Sequence, residues 1–139
     1  ELDLWLEMKV QETLLKLADE FLVKSAHDCS DGGLAVALAE CAFSSLGRPA
    51  IGAEVSLAGN GVSLEGMLFG ETPSRIIVSI APENLERVRE LVGSCPFQVI
   101  GKVAGERLKI SADGKTEIDA NVSDIEQAWK TSLEKRLER

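Results

Sequence analysis

Two short stretches hold the residue types that could do chemistry. One is Ser25-Ala26-His27-Asp28-Cys29-Ser30-Asp31-Gly32-Gly33-Leu34, and the other is Gly70-Glu71-Thr72-Pro73-Ser74-Arg75. In the first, a strand over Val23 to Cys29 runs through Asp31-Gly32-Gly33 into an apolar helix from Leu34 to Ser45. Such a turn leaves backbone N–H groups free at the helix start, where the helix dipole favours negative charge, so it suits phosphate or another anion. Asp28 and Asp31 argue against a bare phosphate unless a cation such as Mg²⁺ lies between them and the ligand. The alternative is a tight turn in which Asp31 caps a core helix.

His27-Asp28 and Ser30-Asp31 do not form a hydrolase relay, because neighbours on a strand alternate faces. His27 by itself reads as a hydrogen-bonded structural histidine, whereas Asp28 or Asp31 can coordinate Mg²⁺ beside a phosphorylated ligand. In the second stretch, Glu71, Thr72, Ser74 and Arg75 bring a carboxylate, two hydroxyls and a guanidinium to the start of a strand. Arg75 can grip phosphate or carboxylate through paired hydrogen bonds, or pair with Glu71 at the surface to little energetic effect. Gly101-Lys102 and Asp113-Gly114-Lys115 lack P-loop spacing and read as turns.

The remaining elements must position these two stretches. Leu4 to Leu22 has a helical period, with Val10, Leu14, Leu17, Ala18 and Phe21 inward, and Trp5 near its start could meet a neighbouring domain. Ala50 to Leu57 alternates as a strand with Ile51, Ala53, Val55 and Leu57 on one face, and a flexible loop follows at Ala58 to Gly61. A short helix is expected over Ser63 to Phe69, a strand over Arg75 to Ala81, and a helix from Pro82 to about Val92. Gln98 to Val103 and Arg107 to Ser111 read as strands of a hairpin joined at Ala104-Gly105-Glu106. A turn at Asp113-Gly114 precedes an extended piece at Thr116 to Asp119. Ser123-Asp124-Ile125-Glu126 is a capping box opening a last helix, whose buried stripe is Ile125, Ala128, Trp129 and Leu133 and whose tail from Glu134 is solvated. Interleaved in this way, the elements predict an α+β fold of one mixed β-sheet with helices packed on it.

The chain's 139 residues, 45% hydrophobic and 27% charged, fit one soluble domain with a sizeable core. Its net charge of −8 repels polyanions, which argues against nucleic acid as a partner, and no apolar run is long enough to span a membrane. Cys29, Cys41 and Cys95 read as free thiols in a reducing cytoplasm, Cys41 on a buried helix. With His27 the only histidine, a zinc cluster is not expected. The start at Glu1, without Met, suggests a piece of a larger protein or a processed product.

LVKSAHDCSDGGLAVALAE (Leu22 to Glu40), LFGETPSRIIVS (Leu68 to Ser79) and IGKV (Ile100 to Val103) together closely resemble the carboxy-terminal domain of phosphoribosylformylglycinamidine synthase, of the aminoimidazole ribonucleotide synthetase-related superfamily. The resemblance covers nearly the whole chain. Sister enzymes carry variants of the turn, among them aminoimidazole ribonucleotide synthetase, selenophosphate synthetase and thiamine-monophosphate kinase. The Ser30-Asp31-Gly32-Gly33 form followed by Leu-Ala-Val-Ala is more similar to the formylglycinamidine enzyme.

The resemblance implies that residues 1–139 are a single domain, the C-terminal fragment of a larger cytoplasmic synthetase with two similar halves. The whole enzyme would use ATP and Mg²⁺ to activate the amide oxygen of formylglycinamide ribonucleotide. Ammonia from a glutaminase subunit or domain then displaces phosphate. Catalytic residues would lie in earlier domains, including the preceding nucleotide-binding domain, so the fragment alone is expected to be inactive and to hold no cofactor tightly. By analogy with the first half, Asp28 matches a metal-binding Asp, and Glu71, Thr72 and Pro73 match a substrate-contacting Glu-Ser-Gln, with Thr-Pro standing in place of Ser-Gln. The ligand-binding set is Asp28, Ser30, Asp31, Gly32, Gly33, Glu71, Thr72, Ser74 and Arg75. The competing expectations are an architectural module that binds no ligand, and the equivalent domain of a sister enzyme.

Overall fold

A computed structural model of the chain describes residues 3–59 and 61–137. Asn60 of the expected flexible loop and the last two residues of the expected solvated tail lie outside them. Helix α1 (Leu4–Asp19) opens at Asp3, whose Oδ1 accepts from the N–H groups of Trp5 (3.1 Å) and Leu6 (3.0 Å). It ends three residues before the expected Leu22. Phe21 takes a left-handed φ of 57° and its N–H returns to Ala18 O, which turns Phe21 into solvent instead of the core.

Strand β1 (Val23–Asp28) leads through the glycine turn to α2 (Gly33–Ala42), followed by β2 (Ala53–Leu57), α3 (Leu64–Phe69) and β3 (Ile76–Ile80). Ser63 caps α3 by accepting the Gly66 N–H. A 3₁₀ turn at Pro82–Asn84 precedes α4 (Leu85–Val92), and β4 (Gly101–Val103), β5 (Arg107–Ala112), β6 (Lys115–Asn121) and α5 (Val122–Leu137) complete the chain.

The fold is α+β, with helices packed on a mixed sheet of order β4-β2-β5-β6; β1 and β3 pair separately as a two-stranded antiparallel ladder. In the four-stranded sheet β2 runs parallel to β5 and antiparallel to β4, while β5 and β6 form a hairpin at Asp113-Gly114. The expected hairpin between β4 and β5 does not form, because β2 lies between them. Residues 104–106 carry the chain over the start of β2, with Ala104 N–H donating to Gly52 O and Gly52 N–H donating to Gly105 O. A Cβ at Gly52 would collide with the Arg107 backbone, so this crossing depends on glycine.

One buried cluster joins α2, β2, α3, β5 and α5 through residues such as Leu38, Val55, Leu68, Ile110 and Val122. A second, smaller one holds Leu17 and Leu22 against Val88, Val92 and Cys95, so α1 packs on α4. Along α5 the buried positions are Val122 and Glu126, whereas Trp129 and Leu133 are exposed, as is Ala128. The expected stripe is therefore displaced, and Glu126 does not complete a capping box. Its Oε1 accepts from Ser44 Oγ and Lys130 Nζ, each at 2.5 Å, fastening α5 to the chain leaving α2. All three cysteines are free, Cys41 exposed rather than buried.

Candidate functional site

The two stretches singled out in the sequence meet. Gly32 N–H donates to Glu71 Oε1 at 2.9 Å, so a carboxylate from the second stretch serves the start of α2. Gly32 (φ 75°) is itself the N-cap and makes no side-chain cap bond. Asp31 is exposed and does not cap the helix; the N-cap is Gly32, one residue further on, and it is the N–H of Gly32 that Glu71 takes. Gly33 is also left-handed, at φ 69°, and a Cβ on it would lie 2.7 Å from the carbonyl carbon of Phe69. The close approach of α2 to the end of α3 therefore requires a residue with no side chain.

Where the glycine turn meets residues 70–75, a junction termed the mouth, Arg75 does not pair with Glu71. Its Nη1 donates to Gly70 O at 3.0 Å and its Nη2 to Met67 O at 3.4 Å, which satisfies carbonyls at the C-terminal end of α3. Its own carbonyl accepts the Cys29 N–H (2.9 Å), extending the β1–β3 ladder, in which Asp28 faces Ile76, to the edge of the turn. Ser74 points elsewhere. Its hydroxyl donates to Glu7 Oε2 of α1 at 2.5 Å, from a left-handed φ of 62°. Thr72 is exposed.

On the first stretch, Ser30 Oγ donates to Asp28 Oδ2 at 2.5 Å, and this bond holds the Asp28 carboxyl below the usual carboxylate range. The Asp28 side chain is two-thirds exposed. His27 Nδ1 lies 2.6 Å from Asp28 O and its Nε2 lies 3.2 Å from Glu40 Oε2, so the ring bridges β1 to α2, in line with a structural histidine. Among the described residues no three His, Cys, Asp or Glu side chains converge to hold an ion. Asp28 presents an exposed carboxylate that can supply one oxygen to a divalent cation and no more of its shell. Two surface concavities of about 210 Å³ each lie away from this mouth, one bordered by Ala50, Glu106 and Asn121, the other by Phe43, Glu126 and Trp129.

The sequence reading missed two contacts that hold the site. Glu7 with Ser74 and His27 with Glu40 join residues far apart in the chain, and neither spacing carries a local signal. The Glu126–Lys130 bond, by contrast, has the i,i+4 spacing of a helical ion pair.

Comparison with known proteins adds a family. The profile described as AIR synthase related protein, C-terminal domain, matches residues 1–113. Phosphoribosylformylglycinamidine synthase subunit PurL of Thermoanaerobacter sp. (strain X514) is 36% identical over 141 residues, which cover 100% of this chain and 19% of that protein. The subunit of the same name from Anaeromyxobacter dehalogenans (strain 2CP-1) is 40% identical over 147 residues, which cover 99% of this chain and 19% of the relative. The chain thus spans about a fifth of the length of these relatives. Among solved structures, Thermotoga maritima PurL complexed with FGAR superposes with a TM-score of 0.74 at 22% identity, covering 86% of this chain and 21% of that one. The same protein complexed with ATP gives 0.72 at 21% identity, over 85% and 21%. At that identity these structures speak for the fold, and they agree with the α+β arrangement found here. On the match over residues 1–113, the chain belongs to the AIR synthase related proteins, whose C-terminal domain it represents.

Proposed function

We propose that this chain serves as the C-terminal domain of an ATP-dependent ligase. The enzyme converts formylglycinamide ribonucleotide and ammonia to formylglycinamidine ribonucleotide in purine biosynthesis. The observation that carries this reading is similarity to PurL subunits across 99–100% of the chain. It is supported by the relatedness in fold to a PurL structure complexed with FGAR and another complexed with ATP. In this reading residues 1–139 form one domain, and its partners are the preceding nucleotide-binding domain and a glutaminase subunit or domain that supplies ammonia. A solved structure described as PurLQS from Thermotoga maritima, with a TM-score of 0.70, is consistent with assembly of such subunits. ATP and Mg²⁺ act in the whole cytoplasmic enzyme. Among the described residues no helix is long and apolar enough to cross a membrane.

Within this chain the proposed ligand-binding mouth is built from Asp28, Ser30, Asp31, Gly32, Gly33, Glu71, Thr72, Ser74 and Arg75. Asp28 offers a carboxylate to a phosphate-bound cation, and two of the five N–H donors of Arg75 are engaged with backbone, which leaves donors for an anion. Glu71 and Ser74 shape the mouth, since both are bonded within the domain, Glu71 to the Gly32 N–H and Ser74 to Glu7. One specific observation favours a second, architectural reading: the Glu71 carboxylate already meets the Gly32 N–H that an anion would use.

Asp28→Ala and Arg75→Ala in the full-length enzyme separate the two. Lower nucleotide stoichiometry or rate supports the ligand-facing reading, whereas unchanged values support the architectural one. The isolated domain, given ATP, formylglycinamide ribonucleotide and ammonia, should show no turnover.

A further inference from the structure

Residues 70–75 form a strap fastened at three points. Glu71 holds the Gly32 N–H at the start of α2, Arg75 holds the carbonyls of Met67 and Gly70, and Ser74 holds Glu7 of α1. The first two attachments lie within the mouth. The third reaches outside it, to a helix that packs on α4 in the smaller buried cluster. Ser74 is also the strained member. A serine at φ 62° is in a region that L-residues avoid, and its hydroxyl is bonded to Glu7. Glu7 is in turn steadied by Gln11 Nε2, which donates to its other carboxylate oxygen at 2.6 Å. Ser74 and Gln11 together hold the Glu7 carboxyl below its ordinary range, as expected for a carboxylate with two donors.

From this geometry we infer that Glu7 is a positioning residue: through Ser74, α1 sets where Glu71 sits against the Gly32 turn. The outer side of α1 carries exposed Leu4, Trp5 and Met8, so Glu7 is flanked by apolar surface. A displacement of α1 therefore pulls on Ser74, and Ser74 is three residues from Glu71. Arg75 anchors the far end of the strap, so the motion is taken up between Glu71 and Ser74. The inference rests on the proposed role of the mouth only for its consequence in the enzyme, not for the link itself.

Hydrogen exchange in the full-length protein tests the link directly. In Glu7→Ala, with the strap's own sequence intact, exchange of the Gly32 amide should quicken about tenfold, the loss expected for a hydrogen bond to a charged group. Exchange in β5 and β6 should stay as it was. Glu7→Gln keeps an acceptor oxygen and should restore most of the protection. Ser74→Gly, which removes both the hydroxyl and the strain, should behave like Glu7→Ala. Unchanged Gly32 exchange in Glu7→Ala, or equal quickening in the four-stranded sheet, overturns the proposal. If Gly32 exchange shifts while nucleotide stoichiometry and KM for ATP do not, the link stands and the ligand-facing role of the mouth fails.

Discussion

Gly32 and Glu71 are joined by a 2.9 Å hydrogen bond although 39 residues separate them, and through it a loop carboxylate takes the N–H of the N-cap residue of α2, the part that an acid at N3 plays in a capping box. The helix has no acidic residue in its first turn and no side-chain cap of its own. Its start is therefore stabilised from a distance. Glu71→Ala should cost about 1 kcal/mol of stability, the usual cost of losing a cap. Glu71→Gln, which keeps an acceptor, should cost less. Urea unfolding measures both, and a Glu71→Ala protein as stable as the parent would mean that the bond contributes nothing.

The neighbouring glycines should differ sharply in tolerance. At Gly33 an added Cβ meets backbone, 2.7 Å and 2.8 Å from the C and Cα atoms of Phe69, on top of a left-handed φ. Backbone cannot swing aside, so Gly33→Ala should destabilise by about 3 kcal/mol or more. At Gly32 the obstacle is a side chain, Val36 Cγ2 at 2.6 Å and Cβ at 3.0 Å, which must shift because a helical valine is stiff at χ1. Gly32→Ala should cost less than Gly33→Ala, about 2 kcal/mol, for its φ and for the shift of Val36. Thermal denaturation of the two variants gives the order, and the reverse order would refute the close packing of α2 on α3.

Glu126 gives a pH dependence with a definite sign. Its carboxyl is pulled down to about 2 by hydrogen bonds from Lys130 and Ser44, in that order of effect. A folded-state value below the unfolded one, about 4.3, means the bond's contribution is complete above that pH and is lost as pH falls toward 2. The stability gap between the parent and Glu126→Gln should accordingly be widest near neutrality, narrow below about pH 4 and close near pH 2. Denaturant titrations at several pH values measure it. A gap that stays constant across that range would show that Glu126 does not act through its charge.

How far the sequence could reveal all this depended on whether the signal was local. The turn between β1 and α2 is legible because Gly32 and Gly33 stand directly before the apolar run Leu34 to Ala39, and Arg75 stands directly before the apolar residues of β3. The strand order was not legible. Ala104-Gly105-Glu106 looks like a hairpin loop, and only the tight fit of Gly52 beneath it lets β2 enter between β4 and β5. In α5 the helical period was correct, but Trp129 and Leu133 lie on the side turned away from this domain's core. Periodicity marks an apolar stripe without saying what covers it. At the mouth, the resemblance matches Glu71 to a substrate contact and the local pattern offers Asp31 as a cap. Which acid reaches the helix start depends on a loop far along the chain, beyond any window a local pattern can span.

The two buried clusters should also open separately. Val88 is fully buried among Leu17, Leu22, Val92 and Cys95, and this smaller cluster joins the larger one mainly through the β1–β3 ladder. A two-stranded ladder is marginal alone, so it is a weak conductor of cooperativity. Val88→Ala should remove about 2 kcal/mol, a typical loss for a small cavity in a core. That loss should appear as faster amide exchange in α1 and α4, with β5 and β6 retaining their protection. Because α1 also holds Ser74 through Glu7, the Gly32 amide should follow α1 rather than the sheet. Equal quickening throughout would mean a single cooperative unit, with α1 too firmly joined to the rest to move the strap by itself.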